Sequence, residues 1–205
     1  HMAHEVIIHK PVLSTGAKLT FSDVVTNVYD RGNEKGIVVR TELTACDEQG
    51  YKVFTNIGDI FNPNYAMPGA DTPPKSDVVW PERNPDYIEK GYVSDTQNYL
   101  YGLTGDINRI HIDGKVASQH GFKKPIMQGL CAYGFACRMA VNAFSFKRPE
   151  NVTRFGASFR APLYPDTEIE LRAWQVTERK AYFKLMDLST NKPTLDYGVI
   201  EWLSL

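Results

Sequence analysis

Between residues 129 and 144 the chain is apolar on almost every side when wound as a helix. Leu130, Tyr133, Cys137, Val141 and Phe144 recur at spacings of three, four, four and three, the repeat of an α-helix of about four turns. Ala132, Gly134, Ala136, Ala140 and Ala143 fill most of the remaining surface. A helix with so little polar surface has to be enclosed, and the sequence after it supplies a sheet. Phe155, Ala157, Phe159 and Ala161 alternate with polar neighbours, and Ile169, Leu171 and Ala173 share one face of the run Glu168 to Thr177. Turns at Tyr164-Pro165-Asp166-Thr167, Glu178-Arg179-Lys180 and Ser189 to Pro193 separate these from Ala181 to Leu188 and Leu195 to Leu203. The order predicts an α+β unit in which antiparallel strands wrap one long apolar helix.

The first sixty residues also read as strands. Leu19 to Tyr29, Gly36 to Cys46 and Tyr51 to Phe61 are rich in β-branched and aromatic residues, with turns at Arg31 to Lys35 and Asp47 to Gly50. They predict an antiparallel meander. From Asn62 to Gly91 the pattern dissolves among Pro63, Pro68, Pro73, Pro74, Pro81 and Pro85, which reads as a linker or a long covering loop. Ser94-Asp95-Thr96-Gln97 fits a capping box that opens a short helix ending near Gly102 or Gly105. The stretch from there to Pro125 reads as loop with short helical turns.

Charge and cysteine content narrow the functional classes. Lys+Arg 23 against Asp+Glu 24 gives a net charge of -1, so no global basic excess recruits nucleic acid. No apolar run approaches the length of a membrane span. The three cysteines, Cys46, Cys131 and Cys137, form no CxxC pair and read as buried thiols of a reducing compartment. The opening His1-Met2 reads as a remnant of cloning, and Leu203-Ser204-Leu205 is not the tripeptide of peroxisomal import.

Chemistry-bearing residues concentrate between Tyr101 and Leu130. Asp106, Asn108 and His111 fall within six positions behind Gly102 and Gly105. An aspartate and an imidazole so close can converge on one water as an acid–base pair; the alternative is an Asp106 and an Asn108 that cap helices and a His111 on the surface. Gly129 opens the apolar helix, whose free amides could hold a developing oxyanion; it could equally ease a crowded helix start. His120 lacks partners at ligand spacing, and no metal site is expected. Lys123, Lys124, Arg138, Arg154 and Arg160 read as surface or paired cations, and Asp187 and Glu201 as solvent-facing.

The run Tyr101 to His111 resembles the signature of MaoC-like, hot-dog-fold (R)-specific enoyl-CoA hydratases (hydratase 2), in which an aromatic residue precedes G-D-x-N-P-x-H. Gly121-Phe122, Pro125-Ile126 and Gln128-Gly129-Leu130 resemble that family's approach to its central helix. His9-Lys10-Pro11-Val12 and the meander behind it look like the later half of the N-terminal repeat of two-repeat members.

The resemblance implies an α+β hot-dog fold, an antiparallel sheet around a central apolar helix, with an incomplete second repeat at the N-terminus. Residues 1–61 would be that incomplete meander, 62–93 the Pro-rich linker or covering loop, and 94–205 the catalytic hot-dog domain. It implies hydration of a trans-2-enoyl-CoA to the (3R)-hydroxyacyl-CoA, with Asp106 and His111 activating water, Asn108 orienting it and the Gly129 amide polarising the thioester. Phe122, Lys123, Lys124 and Gln128 are expected at the substrate, the lysines toward CoA phosphates. No cofactor beyond the acyl-CoA substrate, a homodimer, and a peroxisomal or otherwise cytoplasmic location are also expected. Dehydration of a 3-hydroxyacyl group on CoA or acyl carrier protein, and a non-catalytic dimerisation or ligand-binding module, are the alternatives. Arg109 stands where the signature has proline, Gln128 where histidine is common, and Gly114 where a proline commonly follows the Asp113 position.

Overall fold

The computed structural model describes residues 1–11, 16–32, 35–145 and 147–203. The expected turn residues Asn33 and Glu34, Val12 of the N-terminal resemblance, and the closing Ser204-Leu205 lie outside them. Among the described residues, nine antiparallel strands form one sheet in the order β2-β3-β4-β1-β6-β9-β8-β7-β5. The expected meander is β2 (Thr20–Asp30), β3 (Ile37–Cys46) and β4 (Lys52–Asn62). β1 (Ala3–Ile8), which the sequence reading left unassigned, is the seam between the halves. One edge pairs with β4 and the other with β6 (Val152–Phe159), at Glu5↔Ile57 and Glu5↔Gly156. Across this seam Arg154 donates to Glu5 at 2.7 Å and to Glu201 at 3.2 Å, so Glu201 is ion-paired where it was expected to face solvent alone.

The second half holds β7 (Thr167–Thr177), β8 (Lys180–Asp187) and β9 (Lys192–Trp202), close to the expected ranges. The last residues of the expected linker are instead an edge strand, β5 (Tyr87–Val93), paired with β7 through Gly91↔Ile169. Gly91 fits there because a Cβ would stand 2.7 Å from Met139 Cε. The proline-rich segment before it is a covering strap. Trp80 packs its ring against Trp174 at 5.1 Å, Lys184 Nζ lies 4.2 Å from the Trp80 ring, and Trp174 Nε1 donates to the Arg83 carbonyl at 2.9 Å.

The enclosed helix is α3 (Gly129–Phe144). Ala136, Met139 and Ala140 are fully buried against Ile169, Leu171, Phe183, Leu185 and Ile200. This is the curved sheet around an apolar helix that defines a hot-dog unit. The wrapping is incomplete, because Gly134 and Arg138 stay exposed and Leu130 and Cys137 are half-buried. Cys131 is buried, Cys46 is half-buried and all three cysteines are free thiols; burial pushes the Cys137 thiol up to about 11. Among the described residues, 1–62 contain strands and no helix. Phe21 (56%), Val24 (51%) and Val25 (61%) of the edge strand β2 lie exposed.

Two local expectations are corrected. α1 (Gln97–Gly102) has Thr96 as its N-cap residue with no side-chain cap bond. The Ser94 hydroxyl accepts from the Thr96 N–H, and Gln97 Nε2 reaches Cys131 Sγ at 3.8 Å rather than folding back. Asp187 is buried, because its Oδ1 accepts from the N–H and hydroxyl of Ser189 at the turn after β8. Among the described residues no helix is long and apolar enough to cross a membrane.

Candidate active site

The loop after α1 is shaped by two successive side-chain turns. Asp106 Oδ1 accepts from the Asn108 N–H at 2.9 Å, and Asn108 Oδ1 accepts from the Ile110 N–H at 3.3 Å. Asn108 thereby caps a single 3-10 turn, Arg109–His111. Asn108 takes the capping role that the sequence left open, while Asp106 instead holds the Asn108 N–H ahead of the turn; together the two bonds set the direction of the imidazole. Arg109, lacking proline's fixed backbone, pairs one turn on with Asp113, whose Oδ1 in turn caps α2 (Gly114–Gln119).

His111 is not on the surface. Its Nδ1 lies 2.9 Å from the Ile126 carbonyl, which can only accept, so Nδ1 carries a proton and Nε2 of the neutral ring is a bare acceptor. Nε2 faces Asp106 Oδ2 at 3.8 Å, too far for a direct bond but a suitable span for one water donating to both acceptors. The two side chains are 13% and 27% exposed, so the pair is sheltered yet reachable.

Opposite stands the start of α3. Gln128 precedes it without capping it by side chain, and its carbonyl accepts from Cys131 and Ala132. The N–H groups of Gly129 and Leu130 make no hydrogen bond among the described residues and remain available to an acceptor. A cavity of about 470 Å³ joins the two sides, lined among others by Asn108, His111, Phe122, Gln128, Gly129 and Phe159. Asp106 is not one of the lining residues and meets the site through its 3.8 Å approach to His111 Nε2. Among the described residues no three His, Cys, Asp or Glu side chains cluster as metal ligands.

The other sequence candidates divide. Phe122 lines the cavity. Gln128 also lines it, but its side chain is 3% exposed and its Nε2 donates to the Asn98 carbonyl at 2.9 Å, which makes it a strut. Lys123 and Lys124 lie outside the lining; Lys124 donates to the Pro165 carbonyl at 3.0 Å, and both ammonium groups sit over the Tyr164 ring. Charge marked them, and charge alone does not fix a direction. Among the arginines and lysines of the sequence reading, Arg160 lines the cavity, its guanidinium 5.5 Å from the Tyr197 ring centroid. No local signal separated it from other surface arginines. His120 is exposed and satisfied within its own helix, bonding the Val116 carbonyl.

Comparison with known proteins finds likeness in both sequence and fold. The family model described as "MaoC like domain" matches residues 78–196. The probable enoyl-CoA hydratase 2 of Dictyostelium discoideum is 29% identical over 202 residues, covering 97% of this chain and 68% of that protein. The crystal structure of a MaoC-like dehydratase from Phytophthora capsici superposes with a TM-score of 0.92 at 28% identity, covering 100% of this chain and 72% of that one. The full-length peroxisomal multifunctional enzyme type 2 of Drosophila melanogaster gives 0.85 at 27% identity, covering 99% of this chain and 37% of that one.

Proposed function

We propose that this chain, which belongs to the MaoC-like dehydratase family and is a hydratase/dehydratase enzyme, adds water to a trans-2-enoyl-CoA and forms the (3R)-hydroxyacyl-CoA in fatty-acid metabolism. The observation that carries the reading is the arrangement around one cavity. The bare Nε2 of His111 stands 3.8 Å from Asp106 Oδ2, and His111 and Gly129, whose N–H is unpaired among the described residues, line the same cavity.

In this mechanism one water donates a hydrogen to each of Asp106 Oδ2 and His111 Nε2. Its oxygen bonds to the β-carbon while the π electrons of the double bond move toward the α-carbon and the thioester oxygen. Nε2 takes one water proton, the other stays on the new hydroxyl, and the proton held by the dyad is then delivered to the α-carbon. The Gly129 N–H donates to the thioester oxygen as its charge develops. The chemistry calls for no metal or redox cofactor. Arg109, standing where the signature has proline, leaves the His111 turn held by the Asn108 cap and the Arg109–Asp113 pair. The same groups run in reverse dehydrate a 3-hydroxyacyl thioester. A relative from Mycobacterium tuberculosis, 28% identical over 211 residues, is named 3-hydroxyacyl-thioester dehydratase Y.

The exposed apolar residues of edge strand β2 support a homodimer, which light scattering tests; a monomer contradicts it. A peroxisomal location is supported by the names of relatives and is tested by imaging the tagged protein in cells. The function is tested by incubating the protein with crotonyl-CoA, hydrolysing the thioester and resolving the product on a chiral column. The (3R)-acid is expected; the (3S)-acid overturns the stereochemistry and no hydroxy acid overturns the hydration.

A further inference from the structure

Two buried amides behind the dyad have no role in the chemistry just described. Asn98 is the second residue of α1 and is 1% exposed, and Gln128 is 3% exposed. Each is only half satisfied. Asn98 Nδ2 donates to the His111 carbonyl at 2.5 Å, and Gln128 Nε2 donates to the Asn98 carbonyl at 2.9 Å. The Oδ1 of Asn98 and the Oε1 of Gln128 are buried without a partner. As a contribution to stability this is a poor arrangement, since a half-satisfied buried polar pair is worse than apolar side chains of the same shape. Retention of such groups points to what their donors hold.

The donors close a circuit. Gln128 holds α1 through the Asn98 carbonyl, Asn98 holds the His111 carbonyl, and His111 Nδ1 returns to the carbonyl of Ile126, two residues before Gln128. The circuit ties the base to the segment that leads into Gly129. The 3-10 turn carrying His111 has Arg109 at its first position and so lacks a ring to preset its backbone. The Asn98 bond restrains that turn from outside it.

We propose that Asn98 is a positioning residue that acts through His111, with Gln128 as its support. The inference rests on the hydration reading for its kinetic consequence, though not for its structural one. Misplacing a catalytic group by about 1 Å lowers rates by roughly 10²-fold. Asn98→Ala is therefore expected to lower kcat by about 10- to 100-fold with KM within about twofold. Gln128→Met conserves volume, removes one orphaned oxygen and should keep the melting temperature near wild type; it is expected to lower kcat by a smaller, several-fold factor. The second readout is NMR of protein with 15N-labelled histidine, without substrate. The Nδ1-bound proton of His111 should exchange at least tenfold faster in Asn98→Ala and also faster in Gln128→Met. If Asn98→Ala fails to fold, Gln128→Met carries the test alone. Wild-type kcat and unchanged exchange in the folded variants overturn the proposal. If the wild type hydrates no enoyl thioester, the functional reading fails and the exchange measurement alone decides this one: acceleration supports it and no change overturns it.

Discussion

Replacing Gly129 by alanine separates the stability of the central helix from the function assigned to its first amide. Gly129 has ordinary helical backbone, so alanine is compatible with its conformation and improves helix propensity by up to about 1 kcal/mol. Against that, the new Cβ would stand 3.1 and 3.2 Å from two atoms of the Phe159 ring, which must give by a few tenths of an ångström. Phe159 is half-buried on the cavity wall and can give toward the cavity, so the two effects offset to within about 1 kcal/mol. At roughly 2–4 °C per kcal/mol for a chain of this size, the melting temperature should move by no more than about 4 °C. Activity should respond differently. Removing an oxyanion donor lowers rates by about 10²–10³-fold; here the donor remains, but the methyl and the displaced ring crowd the approach to it. We expect kcat/KM for crotonyl-CoA to fall by roughly 10²-fold, about 2.7 kcal/mol of transition-state stabilisation. The assay is the initial loss of enoyl absorbance, beside a thermal melt of each protein. Adding Phe159→Leu should return part of the loss if the ring contributes to it. A Gly129→Ala protein with wild-type kcat/KM would refute the placement of the thioester oxygen at this amide.

Further expectations concern the scaffold. In Gly198→Ala the new Cβ would lie 2.5 Å from ring atoms of the fully buried Phe183, so destabilisation of about 1–3 kcal/mol should appear as a melting temperature lower by roughly 2–12 °C. Burial holds the His4 imidazole below its ordinary 6.5 in the folded chain, and its Nδ1 is buried without a partner. The unfolded chain therefore binds the extra proton more readily, and the stability present above pH 6.5 is lost as pH falls through the folded value. His4→Phe keeps a ring against Tyr133 and removes the titration, so its melting temperature should gain on wild type as pH is lowered from 7 to 5; a constant difference across that range contradicts the assignment. Trp80→Ala should loosen the strap over β7 and β8, and limited proteolysis should then cut between residues 63 and 86 faster than in wild type.

Legibility followed the range of the interactions. α3 was readable because its apolar spacing repeats over four turns, and β7 because Ile169, Leu171 and Ala173 alternate without interruption. Asp106, Asn108 and His111 were marked by the family signature, whose short spacing has a local basis: the bonds that shape their loop connect residues two apart. The partners that complete the site come from far along the chain: Ile126 for the His111 ring, Asn98 for its carbonyl, Arg160 for the cavity wall. Nothing in the local pattern of those residues distinguishes them. β1 escaped because a six-residue strand gives little periodicity, and β5 because it follows prolines and carries Gly91, whose reason is the distant Met139. Gln128 was expected at the substrate from its place in the family's approach to the helix; its burial depends on the distant Asn98 carbonyl, to which its amide donates.

The central claim is that Asp106 and His111 act as one unit on water, and the most direct measurement compares crotonyl-CoA hydration by wild type, Asp106→Asn and His111→Ala. Asparagine keeps an oxygen to accept from the Asn108 N–H, so the loop and the melting temperature should hold while the acid–base function goes. The account predicts turnover by wild type and losses of about 10²–10⁴-fold in each variant. A folded Asp106→Asn protein that hydrates at the wild-type rate would contradict it.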